Sequence, residues 1–346
     1  MDWLRRGSLS SFKVWFFLML TLGFLCSSVS ESHSNDVLIK RSQYLMGTLV
    51  FVTGVAPEEK VAKDAVAAGL AEIRRIEKLM STWIPTSELS KVNAAAGRHP
   101  VKVSSENMEV LKASMHMAVL TEGGFNIAVG PAVDAWNVSR EGRIPSDKEL
   151  DAVRPFISLE NIVLDEQAGT AYLKHAGMQV DVGGIGKGYT ADLVVDVMQK
   201  EGATAGVVAL SGDIKTFGRM PDQERFVFGI QHPRKEQGHT LGRIELENEA
   251  VSTAGDYQRF MMKDGIRYHH ILDPATLQPA RGSQSVTVIA KDGVMADGLD
   301  TGIFVMGPEK GMALIESLSD VEGVIVNAQG EVLVSSGLKS RLKLEP

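Results

Sequence analysis

Apolar positions recur along this chain at more than one spacing. From Pro57, the residues Val61, Ala65, Ala68, Ile73, Ile76 and Met80 return at helical intervals, which predicts a helix opened by proline. Before it, Val37 to Gly54 reads as one or two strands interrupted at Met46-Gly47-Thr48. Ser104 or Ser105 caps a second helix that runs to Thr121 and stops at Gly123-Gly124. Ile162 to Leu173 predicts a hairpin around Glu166-Gln167-Ala168-Gly169. A strand from Met178 to Val182 enters Gly183-Gly184, and a helix follows from Lys187 to Lys200. Strands dominate from Ala205 to Lys291. Helices then cover Val294 to Val305 and Pro308 to Leu318, and a last hairpin turns at Ala328-Gln329-Gly330. The expected class is α+β, with mixed, largely antiparallel sheets flanked by helices. No repeat or low-complexity linker interrupts the pattern, so a single catalytic unit is expected, at most two intimately packed halves.

The stretch from Asp256 to Pro274 departs from core-building sequence. It holds three acids beside arginines, tyrosines and the pair His269-His270. The spacing predicts a hairpin from Arg259 to Met262, a turn at Lys263-Asp264-Gly265, and a strand from Ile266 to Leu272. Neighbours on a strand face opposite ways, so His269 and His270 cannot share one pocket. One is a candidate acid, base or ligand, and the other packs or faces solvent.

Composition adds limits. The 346 residues are 44% apolar and 23% charged, an ordinary globular balance with ample core. Net charge is −7, with no basic stripe, which argues against nucleic acid. Arg5, Arg6 and Lys13 precede an apolar run from Val14 to Leu25, and Ser27, Ser28 and Ser30 follow. That is the pattern of a secretory signal over residues 1–30, shorter than the ~20 apolar residues of a spanning helix. Cleavage would leave Glu31 first and take the net charge to −9 by removing Asp2, Arg5, Arg6 and Lys13. Residues 31–346 would then form the functional domain in the periplasm. Cys26, the only cysteine, sits where a lipoprotein cysteine would, but bulky Leu25 precedes it. Simple cleavage is therefore the first expectation, and a lipid anchor to a membrane through Cys26 the second.

Four segments carry candidate chemistry. Asp181 to Gly188 is a glycine-rich strand-to-helix turn, of a kind that brings backbone N–H groups to phosphates; a tight turn with a surface lysine fits equally well. Asp297 and Thr301 stand four apart on a helix, and their oxygens suit a hard cation such as Mg²⁺. An acid on a helix dipole explains Asp297 as readily. Ser211-Gly212-Asp213 is a turn that could set Asp213 at a pocket rim. Trp83, in Thr82-Trp83-Ile84-Pro85-Thr86-Ser87-Glu88, either stacks on an aromatic ligand or fills a loop.

Taken together, these segments resemble the ApbE family, the FAD:protein FMN transferases once described as thiamine-biosynthesis lipoproteins. The resemblance runs through Met46-Gly47-Thr48, Ser81 to Ser90 with Asn93, Gly130-Pro131 with Trp136, and Asp181 to Gly188. It continues in Ser211-Gly212-Asp213, Ser252 to Tyr257, Tyr268 to Pro274 and Ala296 to Thr301, and covers roughly residues 37 to 340. It implies an ApbE-like fold and a defined chemistry. The FMN half of FAD passes to a Thr or Ser hydroxyl of an acceptor protein, a phosphoester forms, and AMP leaves. Water in place of the hydroxyl would make the protein a Mg²⁺-dependent FAD pyrophosphatase, and loss of chemistry a periplasmic flavin-binding protein.

The resemblance also assigns roles. Mg²⁺ falls to Asp297, Thr301 and the carbonyl of Gly184. Lys187 would hold the pyrophosphate or ribose side, Met46 and Trp83 the flavin or adenine, with Asp213 and Thr253 also on the FAD side. His270 becomes the general base, while Asp256 and Asp273 shape the site; as Asp-Pro, Asp273 also reads as a plain turn former. The implied acceptor is a membrane flavoprotein subunit of a sodium-pumping NADH:quinone oxidoreductase or an Rnf-type complex. The chain departs from the family pattern at Asn126, Gly184, Gly186, Ser211 and Asp300. Asp300 would either add a metal ligand or face solvent.

Overall fold

The computed structural model describes residues 36–138, 142–222, 224–236 and 238–345. The expected signal segment 1–30 and Cys26 lie outside the described residues. Strands β1 (Val37–Leu45) and β2 (Thr48–Ala56) lead into helix α1 (Glu59–Met80), followed by α2 (Glu88–Ala94), β3 (Val101–Lys102), α3 (Ser105–Leu120), α4 (Gly130–Trp136) and α5 (Asp147–Val153). After β4 (Ile162–Asp165) and β5 (Thr170–Leu173) comes α6 (Gly186–Lys200). A run of strands follows: β6 (Ala205–Leu210), β7 (Asp213–Phe217), β8 (Phe226–Gln231), β9 (Thr240–Leu246), β10 (Ala250–Gly255), β11 (Phe260–Lys263), β12 (Ile266–His269) and β13 (Ser283–Ala290). Helices α7 (Gly293–Met306) and α8 (Pro308–Ser317) precede β14 (Val321–Asn327), β15 (Val332–Val334) and β16 (Lys343–Leu344).

Eight strands pair in the order β1-β2-β6-β7-β10-β13-β14-β15, antiparallel throughout. Helices cover one face. Val66 and Ile73 of α1 and Val194 and Met198 of α6 pack on Val50, Val52 and Val208. Leu299 and Ile303 of α7 join Val286, Val288 and Ile325. On the opposite face, the three-stranded sheet β16-β9-β8 sets Ile230, Ile244 and Leu246 against Val251, Ile289 and Val324. All eight residues of β13 are therefore buried, although only half are aliphatic. The class expected from sequence is the class found.

Local chemistry explains most boundaries. Leu45 pairs directly with Thr48, so β1 and β2 form a hairpin closed by Met46 and Gly47, at φ 52° and 69°. The Ser104 hydroxyl caps α3 by accepting from the Asn107 N–H. Lys263 pairs with Ile266 across Asp264-Gly265, again at positive φ, which closes the expected polar hairpin. That hairpin is anchored by Tyr268, stacked on buried Trp136 at 5.7 Å.

Two expectations change. Met178 to Val182 forms no strand, because its backbone is satisfied elsewhere. The Val180 N–H donates to Asn93 Oδ1 at 2.8 Å, Asn93 Nδ2 donates to the Val180 carbonyl, and the Asp181 N–H donates to the Ile127 carbonyl. In addition, β12 stops at His269 rather than Leu272, which instead bridges to Pro279.

The helices that meet nearest the polar centre of the helical face are α6 and α7. A Cβ on Gly188 would lie 2.1 Å from the Gly293 carbonyl oxygen and 2.7 Å from Asp297 Cβ. Gly188→Ala should therefore destabilise the fold by about 3 kcal/mol, an overpacking cost, and lower Tm by roughly 5–10 °C. Thermal unfolding followed by circular dichroism checks this; an unchanged Tm would mean that the two helices do not cross this closely.

Candidate functional site

Three carboxylates converge beneath the helical face. Asp213 opens β7 after a turn whose Ser211 sits at φ 66°, and Asp297 and Asp300 come from α7. Each offers an oxygen within 4.8 Å of the others, and all three are buried. Asp213 is thus an interior residue and not the rim residue its turn suggested. Asp300 does not face solvent.

The surroundings show how so much charge is tolerated. Lys187, in the first turn of α6, forms an ion pair with Asp213. The Gly188 N–H donates to Asp297 Oδ2 at 2.8 Å. Ser252 Oγ contacts Asp213 and lies 2.6 Å from Asp300 Oδ2, while the Thr301 hydroxyl donates to Asp300 Oδ1 at 3.0 Å. One hydroxyl carries one proton, so both Ser252 contacts are hydrogen bonds only if a carboxyl is protonated. The acidities agree. Burial, then the Asp213 charge, pushes Asp297 up to about 7, with Lys187 opposing. Burial, then Asp297 and Asp213, pushes Asp300 well above the carboxylate range. Burial alone would lower Lys187, but the surrounding acids outweigh it and raise its affinity for a proton.

This donor set fits a hard divalent cation. Its side-chain donors are oxygens, and one lysine faces three buried carboxyl groups, so a dication would take the place of the protons they retain. Gly184 belongs to the same neighbourhood, since a Cβ there would lie 3.1 Å from Thr301 Oγ1.

A cavity of 570 Å³ opens beside this centre, lined among others by Tyr44, Met46, Trp83, Asp181, Gly183 and Lys187. Through Thr82, Trp83 and Asp181 it adjoins a second cavity of 510 Å³, which includes Asn93 and Gln179. Trp83 is 60% exposed between the two, as a stacking residue would be and a loop filler would not. The Met46 N–H is fixed to Glu77 Oε1 at 2.6 Å. Thr253 does not join this side. It lines the opposite face of the sheet with its hydroxyl against Thr287, and its neighbour Ser252 reaches the acids instead.

The two histidines separate as strand geometry requires. His269 is buried with both nitrogens engaged: Nε2–H donates to the Ala280 carbonyl at 2.7 Å, and Nδ1 accepts from the Ile271 N–H. Phe304 lies edge-on to its ring at 5.4 Å. His270 is half-buried, and its Nδ1–H donates to the Arg259 carbonyl at 3.2 Å, which leaves Nε2 as an acceptor. Burial, then the Arg259 charge, holds this imidazole below its ordinary value, so it is neutral at ordinary pH.

Asp256 makes paired bonds of 2.7 Å to Arg234 and a third bond, 3.0 Å, to Arg267. Fully engaged, it ties the end of β10 to the hairpin and to the loop after β8. Asp273 is a turn residue: Oδ1 accepts from the Ala275 N–H and Oδ2 from the Thr276 hydroxyl. Arg234 and the bridging role of Ser252 were not readable from sequence; only the Ser252 to Tyr257 motif pointed near them.

The sequence model of the ApbE family matches residues 46–326 of this chain. A FAD:protein FMN transferase of Vibrio cholerae serotype O1 is 34% identical over 249 residues, 71% of this chain and 74% of that protein. A FAD:protein FMN transferase of Klebsiella pneumoniae is 29% identical over 315 residues, 90% of this chain and 96% of that one. Among solved structures, the ApbE protein of Thermotoga maritima superposes with a TM-score of 0.81 at 29% identity, covering 88% of this chain and 99% of that one. The flavin transferase ApbE of Vibrio cholerae gives 0.78 at 31% identity, with the same coverage.

The raised carboxyls make a signed prediction. A carboxyl whose pKa is raised on folding favours the fold below its ordinary value and costs stability as pH rises through about 7 for Asp297. A divalent cation removes that cost only where the acids are ionised. Saturating MgCl₂ should raise Tm by about 5 °C at pH 8 and by much less at pH 5. Equal increments at both pH values, or none at pH 8, would remove the cation from this cluster.

Proposed function

As a member of the ApbE family, the chain acts, we propose, as a FAD:protein FMN transferase assisted by Mg²⁺. It moves FMN to a Thr or Ser hydroxyl of an acceptor flavoprotein and releases AMP. Lys187 carries this reading. Its turn borders the 570 Å³ cavity, while its ammonium pairs with the buried acid cluster. One residue therefore links a space for a nucleotide to a carboxyl centre suited to a divalent cation.

The steps follow from residues in hand. The joined cavities would take the two halves of FAD, with Trp83 between them and the pyrophosphate over Gly183 to Lys187. Asp297, Thr301 and the Gly184 carbonyl would hold Mg²⁺, with Asp300 beside them. When bound, the ion supplies charge neutralisation at the phosphates. The acceptor oxygen bonds to the FMN phosphorus as the bridging P–O bond to AMP breaks. The hydroxyl proton goes to His270 Nε2, which its Nδ1 contact leaves unprotonated. Asp256 acts on hairpin position through its arginines, and Asp273 through the loop that follows His270.

Export through residues 1–30 would bring the enzyme to the periplasm, facing membrane redox complexes of the sodium-pumping or Rnf type. The test incubates the protein with FAD, MgCl₂ and a candidate acceptor domain, followed by mass spectrometry. Acceptor carrying FMN supports transfer. Free FMN and AMP that are indifferent to acceptor would make it a pyrophosphatase, and unchanged FAD would end both. His270→Ala should slow transfer by roughly 10²–10⁴-fold without lowering Tm. Asp297→Asn should abolish the Mg²⁺-dependent rate. If His269→Ala gives the larger kinetic loss in protein that remains folded, the base has been assigned to the wrong face.

A further inference from the structure

A third cavity, of 1060 Å³, lies across the main sheet from the acid cluster, and the chemistry above does not use it. Thr253 and Val251 form part of its floor, the residues of β10 whose neighbour Ser252 points the other way. Arg234, Lys235, Arg259 and Arg267 line it, and among the described residues no carboxylate does. That is an unusual surface for a chain of net charge −7. Asp256 offsets part of the charge on Arg234 and Arg267, whereas Lys235 and Arg259 have no described carboxylate within ion-pair distance. Leu49, Phe51 and Phe260 lie along the same groove, 49%, 36% and 39% exposed.

Backbone geometry adds a second element. β8 is an edge strand, and four successive residues of it, Phe228 to Gln231, border the groove. Side chains of one strand face alternate, so four in succession bring the strand edge and its amides to the groove. Gly47 and Arg259 line both this groove and the 570 Å³ cavity, so the two adjoin at these residues.

We propose that this groove binds an extended, acidic segment of the acceptor protein. The segment pairs with the β8 edge and directs its hydroxyl residue past Gly47 and Arg259 towards the flavin cavity. The inference rests on the transferase reading above and adds the chemistry of the partner. Edge pairing supplies sequence-independent affinity, the cations select acidic side chains, and the apolar wall takes alternate residues.

The test is fluorescence anisotropy with the full-length protein and a fluorescein-labelled peptide bearing aspartates around one threonine. The aspartate peptide should bind about tenfold tighter than its asparagine counterpart, and N-methylation of alternate amides should abolish binding. Lys235→Glu should weaken the aspartate peptide roughly tenfold while FAD affinity, read from flavin fluorescence, stays within about twofold. Equal binding of the two peptides, no effect of Lys235→Glu, or displacement of the peptide by phosphatidylglycerol vesicles would overturn the proposal. If the peptide binds as expected but the protein never transfers FMN, the groove stands as an acidic-peptide site and the transferase reading falls instead.

Discussion

The closeness with which α6 crosses α7 governs everything near the acids. Two glycines, Gly188 and Gly293, meet where any side chain would collide with backbone. That contact lets the Gly188 N–H reach Asp297. The start of α7 is also capped from α6, because Asp192 accepts from the Gly293 and Val294 N–H groups at 2.7 and 2.9 Å. The residue preceding α7, Asp292, provides no such cap. Lys215 of β7, 3.4 Å from Asp192, fixes the capping carboxylate in turn. α7 therefore has its rotation and height set by another helix, and Asp297, Asp300 and Thr301 inherit that setting. Further along, Gly298 makes room for the Met117 side chain and Gly302 for that of Thr121, which seats α7 against the end of α3.

Energetically, the acid cluster opposes folding. Buried carboxylates lose hydration that one lysine and a few hydrogen bonds only partly restore. The fold tolerates them because apolar layers lie on both faces of the main sheet, and a cation would convert the liability into affinity. The same separation of roles runs through the polar hairpin. His269, Asp256 and Asp273 are consumed by structure, each with its polar atoms engaged, while His270 keeps one nitrogen free.

Much of this could be read from the chain. Helical spacing located α1, a serine cap and a Gly-Gly stop located α3, the helices expected at Lys187, Val294 and Pro308 are α6, α7 and α8, and the turn residues located the hairpins at Met46-Gly47 and Asp264-Gly265. Strand alternation alone separates His269 from His270, and family resemblance chooses between them. The unread parts are those set by distant partners. Met178 to Val182 has the composition of a strand but lacks a neighbouring strand, because Asn93 and Ile127 occupy its backbone groups. Asp300 looked optional since helix spacing cannot say which side of α7 meets Ser252. The same alternation, applied one motif earlier, would have separated Thr253 from Ser252.

That last pair bears on how this protein tolerates change in length. β10 is a six-residue strand with different business on each face: Ser252 meets the buried acids, and Thr253 meets the cationic groove. Both neighbours in the sheet, β7 and β13, hold it in register. Adding or deleting one residue would exchange the faces and put each side chain in the other's compartment. Turns such as Asp264-Gly265 can absorb insertions at the surface, but β10 cannot. Relatives should therefore drift in the identity of its residues far more readily than in their number.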